Sequence, residues 1–301
     1  MPSARRLVID IGTNSVLALL ADVSGTDLVV ISDRRMSTRL GEGLTGSGRL
    51  SREAMIRTAD AISFFMEDIE CASVVLVGTE ALRTASNASE FADLVRKRVN
   101  EKLTVLTGHR EAELTYHGAL HRLNLKRGKV FVVDVGGGSS EFILGKMEDI
   151  IDILSIPIGA LRLKESSTED RLMDYYDQAF EILDERLTFT RELDRGELIA
   201  TGGTITSVAA IALGMKKYDP DSIHGYRLSV KTLNEIASRF ENSGPKERKL
   251  LIPFDPERAD LILPGAGIFL AILGILKAEE ITVSVGGLRF GAVMNPGRPG
   301  N

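Results

Sequence analysis

The chain has 301 residues, a formal net charge of −5 and a single cysteine, Cys71. Its 44 % hydrophobic and 26 % charged residues are typical of a globular protein with a full core, and one cysteine excludes an internal disulfide. The acidic balance argues against nonspecific nucleic-acid binding as the main function. Because the sequence lacks an export-signal pattern and a membrane-length apolar run, we expect a cytoplasmic protein with no membrane partner.

The first half of the chain alternates short apolar strands with helices. Strands are predicted at residues 7–9 and 16–20, joined by a turn, and Ser51 is a helix N-cap before an amphipathic stretch. Asn87 and Glu90 have the spacing of a capping box before a helix that ends near Val99. These signals predict a mixed α/β unit.

The second half repeats this pattern from about residue 129. Strands are predicted at residues 130–134 and 141–144 around a Gly-rich turn, followed by an amphipathic helix at residues 168–187. A strand at residues 197–201 leads into another helix, and Asp255-Pro256 predicts the start of a helix that continues to Lys277.

An internal repeat organises the whole sequence. The two opening hairpins share the pattern Asp-x-Gly-x-x-Ser, as Asp10-Ile-Gly12-Thr-Asn-Ser15 and as Asp134-Val-Gly136-Gly-Gly-Ser139. Two units with the same opening predict two related α/β domains that face each other across a cleft. We place the first at residues 1–122 and the second at residues 123–301.

Turns of Gly, Ser and Thr between strands are candidate phosphate sites, because several backbone N–H groups converge in them and glycine allows close approach. A single turn of this kind is more often an ordinary hairpin, whereas two matched copies favour a phosphate site. A Gly-Gly step into a helix is a third candidate. The predicted phosphate-binding residues are Gly12, Thr13, Asn14, Ser15, Gly136, Gly137, Gly138, Ser139, Gly202, Gly203 and Thr204. Asp10 and Asp134, at the preceding strand ends, are candidate metal ligands.

The arrangement resembles the actin-like (ribonuclease H-like) superfamily of phosphate-binding folds, and further motifs narrow the resemblance. The motifs are Arg39-Leu-Gly41-Glu-Gly43, Thr79-Glu-Ala-Leu-Arg83-Thr-Ala-Ser-Asn87, Thr107-Gly-His-Arg-Glu111-Ala112, Asp134-Val-Gly-Gly-Gly-Ser-Ser-Glu141, Pro157-Ile-Gly159-Ala, Ala200-Thr-Gly-Gly-Thr204 and Gly287-Leu-Arg-Phe-Gly291. Together they are similar to the exopolyphosphatase and guanosine-pentaphosphate phosphohydrolase family, with Thr107 where that family has Ser.

The resemblance implies roles for individual residues. Glu111 corresponds to the acid that activates the attacking water, and Arg83 to an arginine that contacts phosphate. Asp134 and Glu141 correspond to acids associated with Mg²⁺. Judged from the residues alone, the preferred interpretation of Glu111 is a solvated first-turn residue stabilised by the helix dipole, since Glu113 is equally available. The histidines at 109, 117 and 121 have no accompanying acid motif and are expected not to be ligands.

The function expected from these observations is Mg²⁺-dependent hydrolysis of a terminal phosphoanhydride by a homodimeric enzyme. The sequence ends soon after the two predicted domains, whereas longer relatives continue into a helical domain that holds long chains. We therefore expect an exopolyphosphatase acting on short-chain inorganic polyphosphate. Guanosine pentaphosphate (pppGpp) is the alternative substrate. A non-catalytic sensor of guanosine polyphosphates, a superfamily kinase and an actin-type filament protein remain as rival functions.

Overall fold

The computed structural model describes residues 4–25, 27–67, 69–125, 128–187 and 196–295 of the chain. These residues form two compact units. The first runs up to Gly118 and also includes the segment from Leu288 onward, and the second spans Ala119–Gly287. The boundary predicted after residue 122 falls in the segment that follows the helix ending at Leu120.

The first unit is built on a five-stranded mixed sheet. Its strands are β1 (Ala4–Ile11), β2 (Ser15–Ser24), β3 (Asp27–Ser37), β4 (Ser73–Gly78) and β5 (Leu103–Val105). They lie in the order β3-β2-β1-β4-β5. Strand β2 is antiparallel to both of its neighbours, β1 and β3, whereas β4 is parallel to β1 and β5 is parallel to β4.

The second unit has a six-stranded sheet with the same internal order. Its strands are β6 (Lys129–Val135), β7 (Ser140–Lys146), β8 (Asp149–Ile156), β9 (Glu197–Thr201), β10 (Arg227–Ser229) and β11 (Glu280–Val283). The order β8-β7-β6-β9-β11 reproduces that of the first sheet, and β10 is added at the edge beside β11. The internal repeat read from the two hairpins is therefore a repeat of sheet topology.

Helices cover both sheets. In chain order they are α1 (Leu44–Ser47), α2 (Arg52–Met66), α3 (Glu80–Thr84), α4 (Ala88–Val99), α5 (Gly108–Leu120), α6 (Ala160–Ser166), α7 (Leu172–Asp184), α8 (Gly203–Ala212), α9 (Pro220–Ile223), α10 (Val230–Glu241), α11 (Pro245–Leu251), α12 (Ile262–Leu276) and α13 (Leu288–Met294). The strands are apolar enough to be buried on both faces at the sheet centres. Ile9, for example, belongs to one core of the first unit, while the neighbouring Val8 packs with α13 in another.

The predicted cap of α2 is confirmed, and the predicted cap of α4 is wrong. Ser51 caps α2 by accepting the N–H of Ala54 at 3.1 Å. Asn87 precedes α4 as predicted but does not cap it. Its side chain instead accepts the N–H of Leu50 at 2.8 Å and donates to the Leu50 carbonyl at 3.0 Å, so it fixes a neighbouring loop.

The helix predicted from Asp255-Pro256 is interrupted near its start. Pro256–Arg258 forms a single 3₁₀ turn, and α12 begins only at Ile262. Within the described segments, no helix combines the length and the apolar character needed to cross a membrane.

Candidate active site

The first phosphate loop, residues 12–15, connects β1 to β2. The segment that follows β3 donates hydrogen bonds to the carbonyl groups of this loop. Asn14 O accepts the N–H groups of Thr38 and Arg39 at 3.0 and 2.8 Å, and Thr13 O accepts the N–H of Gly41 at 2.9 Å. The side chains of Thr13, Asn14 and Ser15 are buried, at 6 to 8 % exposure. The peptide planes of the loop are thus held from the carbonyl side.

The second loop, residues 136–139, is held in the same way by the start of α6. Gly136 O accepts the N–H of Ala160 at 2.9 Å, and Gly137 O accepts the N–H groups of Leu161 and Arg162 at 2.9 and 3.0 Å. The Nε of Arg162 also donates to the carbonyl of Gly138 at 2.9 Å. We call residues 38–41 and 159–162 the clamp segments of the two loops.

The clamp segments explain two motifs to which the sequence alone gave no role. A Cβ on Gly159 would lie 2.5 Å from backbone atoms of Gly137 and Gly138, so only glycine allows this approach. A Cβ on Gly41 would lie 2.3 Å from the Cγ2 of Thr13. Fixing the carbonyls on one side of a loop leaves its N–H groups to face the other side, which is the arrangement an anion site requires.

Glu111, the predicted catalytic acid, is in the first turn of α5 and only 8 % exposed. Arg83 of α3 donates through Nη1 to Glu111 Oε2 and to the carbonyl of Leu106. Thr107 accepts the N–H of Arg110 at 3.2 Å, so it fulfils the helix-capping role that a Ser also fulfils, and the departure from the family motif is conservative. The structure thus brings together Arg83 and Glu111, which are predicted from separate motifs.

The electrostatic environment distinguishes Glu111 from Glu113 of the same helix. Burial raises the pKa of Glu111, Arg83 opposes this rise, and the nearby Glu80 adds to it. Glu113 is less buried, with a side chain 30 % exposed, and is paired with Arg110 at 2.9 Å. A buried carboxylate with a raised pKa is a stronger base than an exposed one, so Glu111 is the better candidate for taking a proton from water.

The predicted metal ligands lie at strand ends in both units. Asp10 is buried near the end of β1. In the second unit Asp134 is the direct cross-strand partner of Glu141, which places both side chains on one face of the sheet. The Oε1 of Glu141 accepts the hydroxyls of Ser139 and Ser155 at 2.8 and 2.9 Å, so this acid also orients the second loop.

The Gly202-Gly203 turn connects β9 to α8, and Gly202 has a φ of 101°. A Cβ there would lie 2.7 Å from Asp134 Oδ1, so the glycine leaves room for that carboxylate. Gly203 is covered by the guanidinium of Arg258, which would be 1.5 Å from a Cβ at this position. The side chain of Thr204 is buried against Gly265 of α12.

Two charged residues near the candidate site were missed in the sequence. Arg258 is buried and donates through Nε to Asp255 at 2.9 Å. Glu80, 5 % exposed, accepts the Thr13 hydroxyl at 3.2 Å. The sequence signal for Glu80 was its place in the Thr79–Asn87 motif, directly after a buried strand. Nothing in the sequence distinguished Arg258 from an ordinary helix-start residue.

With the fold and the loops in place, comparison with known proteins identifies the class. The sequence matches the Ppx/GppA phosphatase family over residues 19–296, and the chain belongs to this family. It is 33 % identical to exopolyphosphatase 2 of Mycobacterium tuberculosis, over 94 % of this chain and 96 % of that protein. It is 30 % identical to the guanosine-5'-triphosphate,3'-diphosphate pyrophosphatase of Photobacterium profundum, over 95 % of this chain but 58 % of that protein.

A solved structure shows the same fold. The crystal structure of the Aquifex aeolicus member of the Ppx/GppA family superposes with a TM-score of 0.80 at 31 % identity, covering 98 % of both chains. The prediction of an α/β protein with two actin-like domains is confirmed, and so is the predicted family. The protein is therefore a phosphatase of the type that hydrolyses phosphoanhydride bonds.

Proposed function

We propose that this phosphatase is an exopolyphosphatase, which removes the terminal phosphate of short-chain inorganic polyphosphate with Mg²⁺. The observation that carries the proposal is the contact of the buried Glu111 with the half-buried Arg83, which joins a base of raised pKa to the cation that we propose binds phosphate. The near full-length similarity to a protein named exopolyphosphatase 2 supports polyphosphate as the substrate.

In the proposed reaction, Glu111 orients a water molecule and accepts one of its protons as the water oxygen bonds to the terminal phosphorus. The bond to the bridging oxygen breaks, and its electron pair leaves with the shortened chain. Loop N–H groups and Arg83 stabilise the charge on the equatorial oxygens. Because Glu111 must be ionised to act, the rate should fall on the acidic side of a pKa that lies above the usual value for Glu.

Asp10, Asp134 and Glu141 are the residues proposed to bind Mg²⁺. In the described part of the chain, no three His, Cys, Asp or Glu side chains are grouped to hold a metal by themselves. One or two carboxylates completed by substrate phosphate and water is the donor set that Mg²⁺ commonly uses, so the residues fit this ion. When bound, Mg²⁺ would neutralise negative charge on the phosphate chain.

Guanosine pentaphosphate is the second candidate substrate. The 30 % identity to a guanosine-5'-triphosphate,3'-diphosphate pyrophosphatase favours it, and this substrate presents the same kind of terminal anhydride.

The homodimer, the cytoplasmic location and the lack of nucleic-acid and membrane partners remain predictions from the sequence. Light scattering of the purified protein tests the first of them.

The experiment that tests the function is orthophosphate release from short polyphosphate, long polyphosphate, guanosine pentaphosphate and ATP, each with Mg²⁺ and with excess chelator. We expect release from short polyphosphate in the presence of Mg²⁺ and slower release from chains of hundreds of units. Faster release from guanosine pentaphosphate would select the second candidate. Tight binding without release from any substrate would overturn the hydrolase proposal in favour of a sensor.

A further inference from the structure

Glu80 is a buried acid for which neither the sequence motifs nor the proposed reaction supplies a role. It is the first residue of α3, directly after Thr79 and the end of β4. The side chain is 5 % exposed, and its Oε2 accepts the hydroxyl of Thr13 in the first phosphate loop at 3.2 Å. Burying a carboxylate to this degree is unfavourable unless hydrogen bonds or an opposite charge compensate for its lost hydration.

The position of Glu80 connects the loop to the catalytic acid. Glu80 and Arg83 are three residues apart on α3 and therefore lie on the same side of that helix. Arg83 binds Glu111, and the charge of Glu80 is close enough to raise the pKa of Glu111. On Glu111's own helix, Glu113 is paired with Arg110 at 2.9 Å and lies 3.3 Å from the ring of His109.

Arg83 and Glu80 have opposite effects on the pKa of Glu111. A guanidinium bound directly to a carboxylate favours the ionised form and so makes that carboxylate a weaker base. Glu111 needs Arg83 nearby because the cation also serves the phosphate, but it must still accept a proton from water. A second negative charge beside the pair offsets the effect of Arg83 on Glu111.

We propose that Glu80 is a positioning residue of the hydrolytic site, which holds Thr13 of the first loop and places a second negative charge beside the Arg83–Glu111 pair. This inference rests on the proposed function for its kinetic consequence. It assigns Glu80 two separable tasks: one through the hydrogen bond to Thr13, and one through charge.

The first test is the pH profile of kcat/KM for polyphosphate in wild type, Glu80→Gln and Glu80→Asp. Removing the charge should move the acidic limb of the profile to lower pH and lower the plateau. Glu80→Asp keeps the charge and should return the limb toward the wild-type position. Glu113→Gln, on the same helix as Glu111 but paired with Arg110, is the matched control and should leave the limb in place.

A second variant separates the two tasks. Thr13→Val removes the hydrogen bond while Glu80 keeps its charge, so KM should rise and the acidic limb should stay where it is. If Glu80→Gln fails to fold, Glu80→Met is a second variant that removes the charge, and its acidic limb should likewise lie at lower pH than that of Thr13→Val, in which the charge is kept. An acidic limb that is unchanged in Glu80→Gln would overturn the proposal.

A measurement that needs no turnover separates this proposal from the proposed function. Titrating the protein labelled with ¹³C at the Glu carboxyls, with Glu111→Gln to assign the signal, gives the pKa of Glu111 directly. The pKa should be lower in Glu80→Gln than in wild type. If wild type releases no orthophosphate but this shift is found, the proposed function fails and the role of Glu80 stands. If orthophosphate is released and the shift is absent, the reverse holds.

Discussion

The two phosphate loops have the same position in two sheets of the same topology, but they are filled differently. The first carries Thr13, Asn14 and Ser15, whose side chains are buried, and the Thr13 hydroxyl donates to Glu80. The second carries three consecutive glycines, and its clamp segment packs directly on their backbone. Two hairpins of the same topology are thus held from their carbonyl sides with different loop residues: buried polar side chains in the first, and glycines followed by the hydrogen-bonded Ser139 in the second.

The charges around the two loops differ as well. In the first unit the buried Glu80 accepts a hydrogen bond from the loop, and the half-buried Arg83 on the same helix binds the buried Glu111. In the second unit the acid next to the loop, Glu141, orients two serine hydroxyls, and Arg162 donates to a loop carbonyl. The first unit therefore carries the proposed base, whereas the second carries a loop whose backbone is fixed by its clamp segment, which we call a rigid cradle.

The largest predicted effect comes from removing the base. Glu111→Gln should lower kcat by about 100- to 10,000-fold, because proton transfer is lost while the shape of the site is kept. Glu113→Gln, two residues along α5, should retain wild-type kcat. Both rates are measured by steady-state orthophosphate release. Equal losses of kcat in the two variants would show that the rate depends on the integrity of α5 and not on the carboxylate of Glu111.

A methyl group in the second clamp segment should have the next largest effect. In Gly159→Ala the new Cβ meets the backbone of Gly137 and Gly138 at 2.5 Å, and backbone cannot rotate away. A displaced loop misplaces its N–H groups, and we expect kcat/KM to fall by about 100-fold. Near-normal kinetics in a folded Gly159→Ala protein would contradict the rigid-cradle interpretation.

The same change in the first clamp segment should be milder and repairable. In Gly41→Ala the Cβ meets only the Cγ2 of Thr13, a side-chain methyl, at 2.3 Å. We expect a loss of about tenfold in kcat/KM, since overpacking of this kind costs about 1–3 kcal/mol. Thr13→Ser lacks that methyl and keeps the hydroxyl for Glu80, so the double variant should recover. If kcat/KM does not recover in the double variant, the loss in Gly41→Ala is not caused by the contact with the Thr13 methyl group.

The smallest predicted effect is on stability. Because burial raises the pKa of Glu111 in the folded state, its protonated form favours folding. That stabilisation is present below the unfolded-state pKa of about 4.3 and is lost as the pH rises through the folded-state pKa. Glu111→Gln, which carries no charge, should therefore melt a few degrees above wild type near pH ~8. Thermal unfolding followed by circular dichroism should show this difference narrowing toward pH ~5.

Much of the fold was predictable because strong local signals agreed with it. The repeated Asp-x-Gly-x-x-Ser pattern marks the same hairpin in both units, and Ser51 caps the helix it precedes. Asn87 was misread as a cap because its partner, Leu50, is distant in sequence. The break between Pro256–Arg258 and α12 has no strong local signal, since Asp-Pro predicts a helix start equally well for either helix type.

The candidate site was predictable only where it follows a motif. Thr13, Arg83 and Glu111 stand in separate motifs, and the structure shows how Arg83 joins Glu111. The partners that hold the loops from behind were not assigned a role. Gly159 is explained only by the backbone of Gly137 and Gly138, a contact made by folding rather than by sequence spacing.

In the proposed mechanism, water activated by Glu111 attacks the terminal phosphorus of the substrate. The most direct measurement is hydrolysis of short polyphosphate with Mg²⁺ in ¹⁸O-labelled water, followed by mass spectrometry of both products. We predict one heavy oxygen from solvent in the released orthophosphate, none in the shortened chain, and loss of the reaction in Glu111→Gln. Heavy oxygen in the shortened chain instead, or equal rates in wild type and Glu111→Gln, would contradict the mechanism.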